Sequence, residues 1–253
     1  MFFDTHAHYD DSRYDSDRDE LLLSMAAGGV SLITNIGTSV EESRLSLAIA
    51  EKYPFVYATI GVHPHEAKSM DDASIPALRE MLAHPKAVAV GEIGLDYHYN
   101  LSEPEVQITR FREQMELAKE LSMPVVIHER EAFDDVMRVL EDYPGISGVF
   151  HCFSGDWTSA EKLLDMGWML SFTGVITFKT GKMSLDVAAR VPIDRLLLET
   201  DAPYLSPVPL RGKRNDSRNL QHVAAVLAEA RGITPQQLAD ATTANGKKFY
   251  KIT

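Results

Sequence analysis

The sequence predicts an α/β protein folded as a (β/α)8 TIM barrel in a single domain over residues 1–253. Apolar runs of four to eight residues alternate eight times with amphipathic runs of helical spacing. The apolar runs are continuous rather than alternating, which is typical of parallel strands covered by helices. An open doubly wound sheet is the alternative, but no Gly-x-Gly-x-x-Gly turn follows the first run.

The predicted elements alternate without a linker or an internal repeat. The predicted strands are Phe2–His8, Val30–Gly37, Phe55–Val62, Ala87–Gly91, Pro124–His128, Gly148–His151, Trp168–Thr173 and Leu196–Thr200. The predicted helices are Asp15–Ala27, Glu41–Lys52, Ser74–Ala83, Glu103–Leu121, Ala132–Tyr143, Ser159–Met166, Leu185–Ala189 and Asn219–Arg231, followed by a helical end at Gln236–Ala241 and Ala244–Tyr250. Gly28-Gly29 is a stop signal for the first of these helices.

Composition indicates a cytoplasmic protein with no membrane association. Only one cysteine is present, which excludes an internal disulfide framework and is typical of a reducing compartment. No apolar run is long enough to span a bilayer, and the charged first strand predicts that no signal peptide is present. The net charge of −12 argues against coating of nucleic acid by bulk electrostatics, but it allows a nuclease whose positive charge is local or comes from metal ions.

The first predicted strand carries a His-x-His pair. Successive side chains of a strand point to opposite faces, so His6 and His8 project the same way, and Asp4 shares their face. Two imidazoles on one face of a rigid strand can bind one metal ion. A hydrogen-bonded surface pair is the alternative for an isolated His-x-His, so the interpretation depends on the other strands.

Histidines and carboxylates recur where the later predicted strands end. In a (β/α)8 barrel the carboxyl ends of the strands lie together and form the active site. Six of the nine histidines lie at these ends, which is not expected of surface histidines: His6, His8, His63, His65, His128 and His151. The carboxylates at the same ends include Glu92, Asp96, Glu199 and Asp201.

Strand parity selects the residues expected to face the barrel interior. Glu92 shares a face with Val88 and Val90, and His128 shares one with Val126. The complete inward set is His6, His8, Glu92, His128, His151 and Asp201. One catalytic ion with an open position takes about three or four protein ligands. The set therefore predicts two divalent ions that share a carboxylate, and its mixed chemistry accepts zinc, magnesium or manganese.

Five motifs follow one another along nearly the whole chain. They are Asp4-Thr5-His6-Ala7-His8, Gly61-Val62-His63-Pro64-His65, Gly91-Glu92-Ile93-Gly94-Leu95-Asp96-Tyr97, His151-Cys152-Phe153-Ser154-Gly155 and Glu199-Thr200-Asp201-Ala202-Pro203-Tyr204. In type and order they resemble the TatD family of metal-dependent deoxyribonucleases. The resemblance implies a barrel with two divalent ions that hydrolyses phosphodiesters in DNA, often by 3′→5′ removal of nucleotides from single strands. RNA is an alternative substrate.

The resemblance also implies a role for each residue of the inward set. Glu92 would bridge the two ions and Asp201 would bind one of them. Asp201 would also orient the attacking water or accept its proton, so Glu92 and Asp201 are the expected catalytic residues. His63 would face the phosphate of the substrate. The histidines of the two ions would be His6 with His8 and His128 with His151.

A basic segment in this acidic chain follows the eighth strand, Pro209-Leu210-Arg211-Gly212-Lys213-Arg214. Loops after strands seven and eight of barrel enzymes often bind phosphate, so Arg211 and Arg214 are predicted to position a nucleic-acid backbone. A solvated loop that offsets nearby carboxylates is the alternative. Tyr97 is predicted to contribute to substrate binding by stacking on an unpaired base. The family's Arg-Asn-Glu-Pro is replaced here by Arg214-Asn215-Asp216-Ser217, which leaves the geometry of this loop open.

Two other functions are compatible with parts of the pattern. An amidohydrolase-type barrel that cleaves an amide or an ester, such as an aminoacyl-tRNA ester, would share the His-x-His strand and the final aspartate. Many dinuclear members of that group bridge their ions with a carboxylated lysine, whereas Glu92 is available here. A barrel that binds metal or a partner without turnover is the non-enzymatic alternative, and the basic segment argues against it. No obligate protein partner is indicated.

Overall fold

The computed structural model describes all residues from Met1 to Thr253. Its strands are β1 (Phe2–Ala7), β2 (Val30–Ile36), β3 (Val56–Ile60), β4 (Ala87–Asp96), β5 (Val125–Arg130), β6 (Gly148–Phe150), β7 (Met169–Phe172) and β8 (Leu196–Leu198). They form one eight-stranded sheet in the order β1 to β8. The predicted (β/α)8 barrel is confirmed.

Helices alternate with the strands as the sequence predicts. They are α1 (Arg18–Leu23), α2 (Val40–Lys52), α3 (Ser74–Leu82), α4 (Pro104–Leu121), α5 (Phe133–Leu140), α6 (Trp157–Asp165), α7 (Lys182–Arg190), α8 (Leu220–Arg231) and α9 (Pro235–Phe249). The end of the chain is one continuous helix, α9, where the sequence predicted two segments. Its start is fixed by a capping box, in which Thr234 and Gln237 satisfy each other's backbone N–H groups.

The chain divides into two compact units, of which the first comprises Met1–Asn35 with Cys152–Thr253. Within this unit β8 returns to β1, because the N–H of Asp201 donates to the carbonyl of His6 at 2.9 Å and that of His8 donates to Ala202 at 2.7 Å. The hydroxyl of Thr5 donates to the carbonyl of Leu198 at 3.0 Å. The first strand is therefore held beside the last by hydrogen bonds from both chain segments.

The second unit, Ile36–His151, is built around β4. This strand continues to Asp96, five residues beyond the predicted end at Gly91, and every residue in it is buried. Its parallel register with β5 shifts between Val90 and Ile93 and then runs regularly from Ile93 onward. The extension carries Asp96 past the strand end that the sequence indicated.

Gly94 is required for the close approach of β4 to β5. It pairs with His128 in the sheet and has a φ of +141°, which side chains rarely adopt. A Cβ atom at this position would overlap the backbone carbonyl of His128. Both the backbone conformation and the space therefore exclude any other residue.

We expect Gly94→Ala to lower the free energy of unfolding by about 3 kcal/mol or more, since it combines a strained φ with a backbone overlap. Urea denaturation of the purified variant measures this change. The matched control is Gly145→Ala, where φ is +86° but no atom lies within 4 Å of the added Cβ. That control should cost about 1 kcal/mol. Equal losses in the two variants would contradict the role given to the β4–β5 contact.

Candidate metal centre

In the first unit, two histidines of the β1 end and one aspartate after β8 come together. The Nε2 atoms of His6 and His8 lie 3.2 Å apart. An Asp201 carboxylate oxygen lies 3.2 Å from the Nε2 of His8 and 3.7 Å from that of His6. Asp201 has a φ of +54°, a left-handed conformation that aspartate tolerates better than most residues. The three predicted ligands of this group are thus neighbours.

Asp4 holds the chain segment that carries Asp201. Its buried carboxylate accepts hydrogen bonds from the backbone N–H and the hydroxyl of Thr200, at 3.0 and 2.5 Å. Because Thr200 immediately precedes Asp201, these bonds fix the chain that carries the proposed ligand. Burial raises the pKa of Asp4 to about 7, although hydrogen bonds from Ser217 and Thr200 oppose the shift.

In the second unit, one oxygen of Glu92 is shared by three imidazoles. Its Oε1 lies 2.8 Å from the Nδ1 of His128, 2.8 Å from the Nε2 of His151 and 3.5 Å from the Nε2 of His63. Glu92 is only 2% exposed. Ligand atoms of His63, Glu92 and His128 all lie within 4.8 Å of one another. Such a cluster of imidazole nitrogens and carboxylate oxygen fits a divalent metal ion.

A second buried carboxylate lies on the other side of His128. The Oδ2 atom of Asp96 is 3.1 Å from the Nε2 of His128 and 2.9 Å from the Nε2 of His65. His128 therefore has one carboxylate at each ring nitrogen. The sequence placed Asp96 and His65 at the strand ends, with Asp96 as one candidate for a residue that supports the ligands, but it did not show which side chains they contact.

Burial and hydrogen bonding shift the pKa values of the histidines and of Asp96 in this cluster. Burial and the neighbouring His128 lower the pKa of His63 well below its usual value, so His63 is a neutral imidazole. Burial also lowers the pKa of His128, but hydrogen bonds to Asp96 and Glu92 outweigh it and the net shift is upward. Burial would raise the pKa of Asp96, but hydrogen bonds from His128 and His65 reverse the shift.

The family model described as TatD related DNase matches residues 3–251. The chain belongs to the TatD family. It is 40% identical to the uncharacterized metal-dependent hydrolase YabD of Bacillus subtilis, with 100% of both chains covered. It is 38% identical to the 3′-5′ ssDNA/RNA exonuclease TatD of Cronobacter sakazakii, over 98% of this chain and 97% of that one.

The fold is likewise that of a solved TatD-family protein. The crystal structure of the TatD homologue YJJV from Escherichia coli K12 superimposes with a TM-score of 0.93 at 34% identity, covering 100% of this chain and 98% of that one. The predicted family and enzyme class, a TatD-like metal-dependent hydrolase, are confirmed. No helix of the structure combines the length and the apolar character needed to cross a bilayer.

The predicted substrate-binding residues lie in different environments. Arg211 is exposed, and its guanidinium carbon lies 3.6 Å from the ring centroid of Phe178. Arg214 instead forms a bidentate ion pair with Asp17, at 2.8 and 2.5 Å. The hydroxyl of Tyr97 donates to Asp135 at 2.8 Å. The guanidinium of Arg211 is therefore more available than that of Arg214 to bind an anion.

The loop that departs from the family pattern is closely packed. The buried side-chain amide of Asn215 donates to the carbonyls of Thr200 and Tyr204, at 3.1 and 2.7 Å. Its oxygen accepts from the N–H of Asp216 at 3.0 Å and from the Asn219 side chain at 2.8 Å. The residues that replace Glu-Pro are also engaged, because Asp216 pairs with Arg218 and Ser217 contacts the hydroxyl of Tyr9.

We expect Asn215→Ala to lower the free energy of unfolding by about 2–3 kcal/mol, because it leaves several buried polar groups without partners. Chemical denaturation checks this value. The control is Gln236→Ala, which removes an exposed hydrogen bond to Asp240 in α9 and should change stability by less than about 0.5 kcal/mol. A negligible effect of Asn215→Ala would show that the loop does not depend on this amide.

Proposed function

We propose that this protein is a metal-dependent 3′→5′ exonuclease acting on single-stranded DNA, with RNA as a second substrate. The observation that carries the proposal is the convergence of three imidazoles on one buried oxygen of Glu92. The exonuclease named TatD in Cronobacter sakazakii supports the substrate class. The single cysteine supports a cytoplasmic location.

The proposed cofactor is a pair of divalent metal ions per subunit: zinc, magnesium or manganese. A centre shared through Glu92 is proposed because the chain carries the motifs of both ligand groups in the order of the TatD family. The proposed ligands of one ion are His6, His8 and Asp201, and those of the other are His128 and His151. When bound, two divalent ions would supply Lewis-acid stabilisation of phosphate charge and a more acidic water.

The remaining chemistry falls to side chains around these ligands. Asp201 would orient the attacking water and accept its proton, because its carboxylate is only partly exposed and follows the strand end. His63 would face the phosphate as a neutral imidazole and could donate a hydrogen bond to it. Its Nε2 lies 3.5 Å from the Glu92 oxygen, which places this imidazole beside the proposed ligands.

The substrate contacts are proposed from the residues of the basic segment and from Tyr97. Arg211 and Arg214 would contact the nucleic-acid backbone, with Arg211 the stronger contributor because Arg214 is paired with Asp17. Asp135 holds the hydroxyl of Tyr97, which would keep its ring in one orientation for stacking on a base.

A substrate panel tests the proposed function. We expect the metal-reconstituted protein to shorten single-stranded DNA from its 3′ end and to lose this activity on chelation, with recovery after Mg²⁺, Mn²⁺ or Zn²⁺ is added. Asp201→Asn should lower kcat by about 100-fold or more while the circular dichroism spectrum stays unchanged.

The panel also separates the alternatives. Double-stranded DNA, RNA, a chromogenic phosphodiester, a cyclic amide and an aminoacyl ester are assayed under the same conditions. Hydrolysis of the amide or the ester with no cleavage of polynucleotides would contradict the nuclease proposal and favour an amidohydrolase-type activity. Wild-type turnover by Asp201→Asn would contradict the role given to that carboxylate.

We expect Arg211→Glu to raise KM for single-stranded DNA by about 10-fold and to change KM for a small chromogenic phosphodiester much less, because only the polymer extends to the basic segment. Steady-state kinetics at fixed ionic strength measure both values. The control is Arg195→Glu, the same charge change at the amino end of β8. Equal effects of Arg211→Glu on both substrates would favour the solvated-loop alternative.

A further inference from the structure

We propose that Asp96 is a positioning residue that fixes the tautomer of His128 and thereby presents the Nδ1 lone pair of His128 to a metal ion. This inference rests on the proposed function only in taking His128 as a ligand. It concerns a residue on β4 that the ligand set does not include. Three features carry it: how Asp96 is held, which ring atoms it contacts, and what lies at the opposite ring nitrogen.

Asp96 is held rigidly by its neighbours. Its backbone N–H donates to the side-chain oxygen of Gln107 at 2.8 Å, and its carbonyl accepts from the Gln107 amide at 3.1 Å. One carboxylate oxygen, Oδ1, accepts from the N–H of Tyr99 at 2.8 Å. Asp96 is fully buried. Only the other oxygen, Oδ2, is turned toward histidines.

Oδ2 is an acceptor for two imidazoles. It lies 3.1 Å from the Nε2 of His128 and 2.9 Å from the Nε2 of His65. An ionised carboxylate can only accept hydrogen bonds, so both of these ring nitrogens must carry protons. The Nδ1 of His128 faces the Glu92 carboxylate in the same way, so the metal-free ring can hold a proton on each nitrogen. When a metal ion takes the place of the Nδ1 proton, the contact with Asp96 keeps the other proton on Nε2 and so selects that neutral tautomer.

The selected lone pair is at the metal-facing side of the ring. The Nδ1 of His128 lies 2.8 Å from the shared Glu92 oxygen and 3.3 Å from the Nε2 of His151. With the opposite tautomer, an N–H would point at this group and could not ligate. A carboxylate that orients a ligating histidine in this way also increases the basicity of the ring. Asp96 thus acts through His128 without contacting the reacting atoms.

The test variant is Asp96→Asn, which preserves shape but replaces one acceptor by an NH2 donor. The backbone N–H of Tyr99 can only donate, so the amide oxygen must stay beside it. The NH2 group then faces the Nε2 of His128, which must become an acceptor. We expect the proton to move to Nδ1, where it blocks ligation.

Long-range ¹H–¹⁵N correlation spectra of ¹⁵N-histidine-labelled protein at pH 8, metal-free and zinc-loaded, report this tautomer. We expect Nε2–H and no Nδ1–H for His128 in the zinc-loaded wild type, and Nδ1–H in metal-free Asp96→Asn. Calorimetric zinc titration should show one ion bound about 10- to 100-fold more weakly by the variant. The control is Glu51→Gln, which alters the partly exposed Glu51–His84 pair of the same unit and should change neither readout.

Two results would overturn the inference: Nδ1–H for His128 in the zinc-loaded wild type, or Asp96→Asn with wild-type zinc affinity and tautomer. The wild-type spectrum decides the first point even when the variant does not fold. Failure of the proposed function is a separate outcome. A wild-type protein with Nε2–H at His128 but no polynucleotide hydrolysis would leave the role of Asp96 intact and refute the nuclease activity.

Discussion

The shared oxygen of Glu92 is the constraint on which the site depends. A carboxylate buried to 2% exposure is costly unless it is paired and hydrogen-bonded. Three imidazoles within 3.5 Å of one oxygen provide that pairing. Imidazoles so arranged would repel one another if all were protonated, whereas neutral rings can share a cation. This arrangement supports the proposal that Glu92, His128 and His151 bind a metal ion, with His63 beside them.

The fold maintains this arrangement through backbone contacts rather than through the ligands themselves. In the second unit Gly94 allows β4 and β5 to approach closely, and this register places His128 opposite Gly94. In the first unit the bonds between β1 and the segment after β8 hold His6 beside Asp201. Asp4 and Asn215 secure the same segment from buried positions. Buried backbone and side-chain hydrogen bonds therefore hold each group of proposed ligands in place.

Much of the fold and of the candidate site could be predicted from the sequence, because the apolar runs and the motifs at their ends are local and periodic. Continuous apolar strands alternate with helices, and three of the candidate ligands, Glu92, His128 and His151, each follow a buried valine by two residues. Parity correctly brought His6 and His8 together, although the β1–β2 register shifts between Asp4 and Ala7. The β4–β5 register likewise shifts between Val90 and Ile93, close to Glu92. The sequence placed Asp96 at the end of the fourth strand, but it could not show that the side chain of Asp96 contacts His128, because that contact depends on how β4 pairs with β5.

The sequence by itself determined the fold class, the TatD family and the residue types of the proposed centre, since periodicity and motif order are written along the chain. Only the tertiary structure decided which contacts those residues make. The bidentate pairing of Arg214 with Asp17 joins residues 197 positions apart. The contact of Asp96 with His128 spans 32 positions. Such contacts depend on strand register and loop packing, and a register shift of one residue changes every neighbour of a side chain. No local pattern in the sequence encodes these contacts.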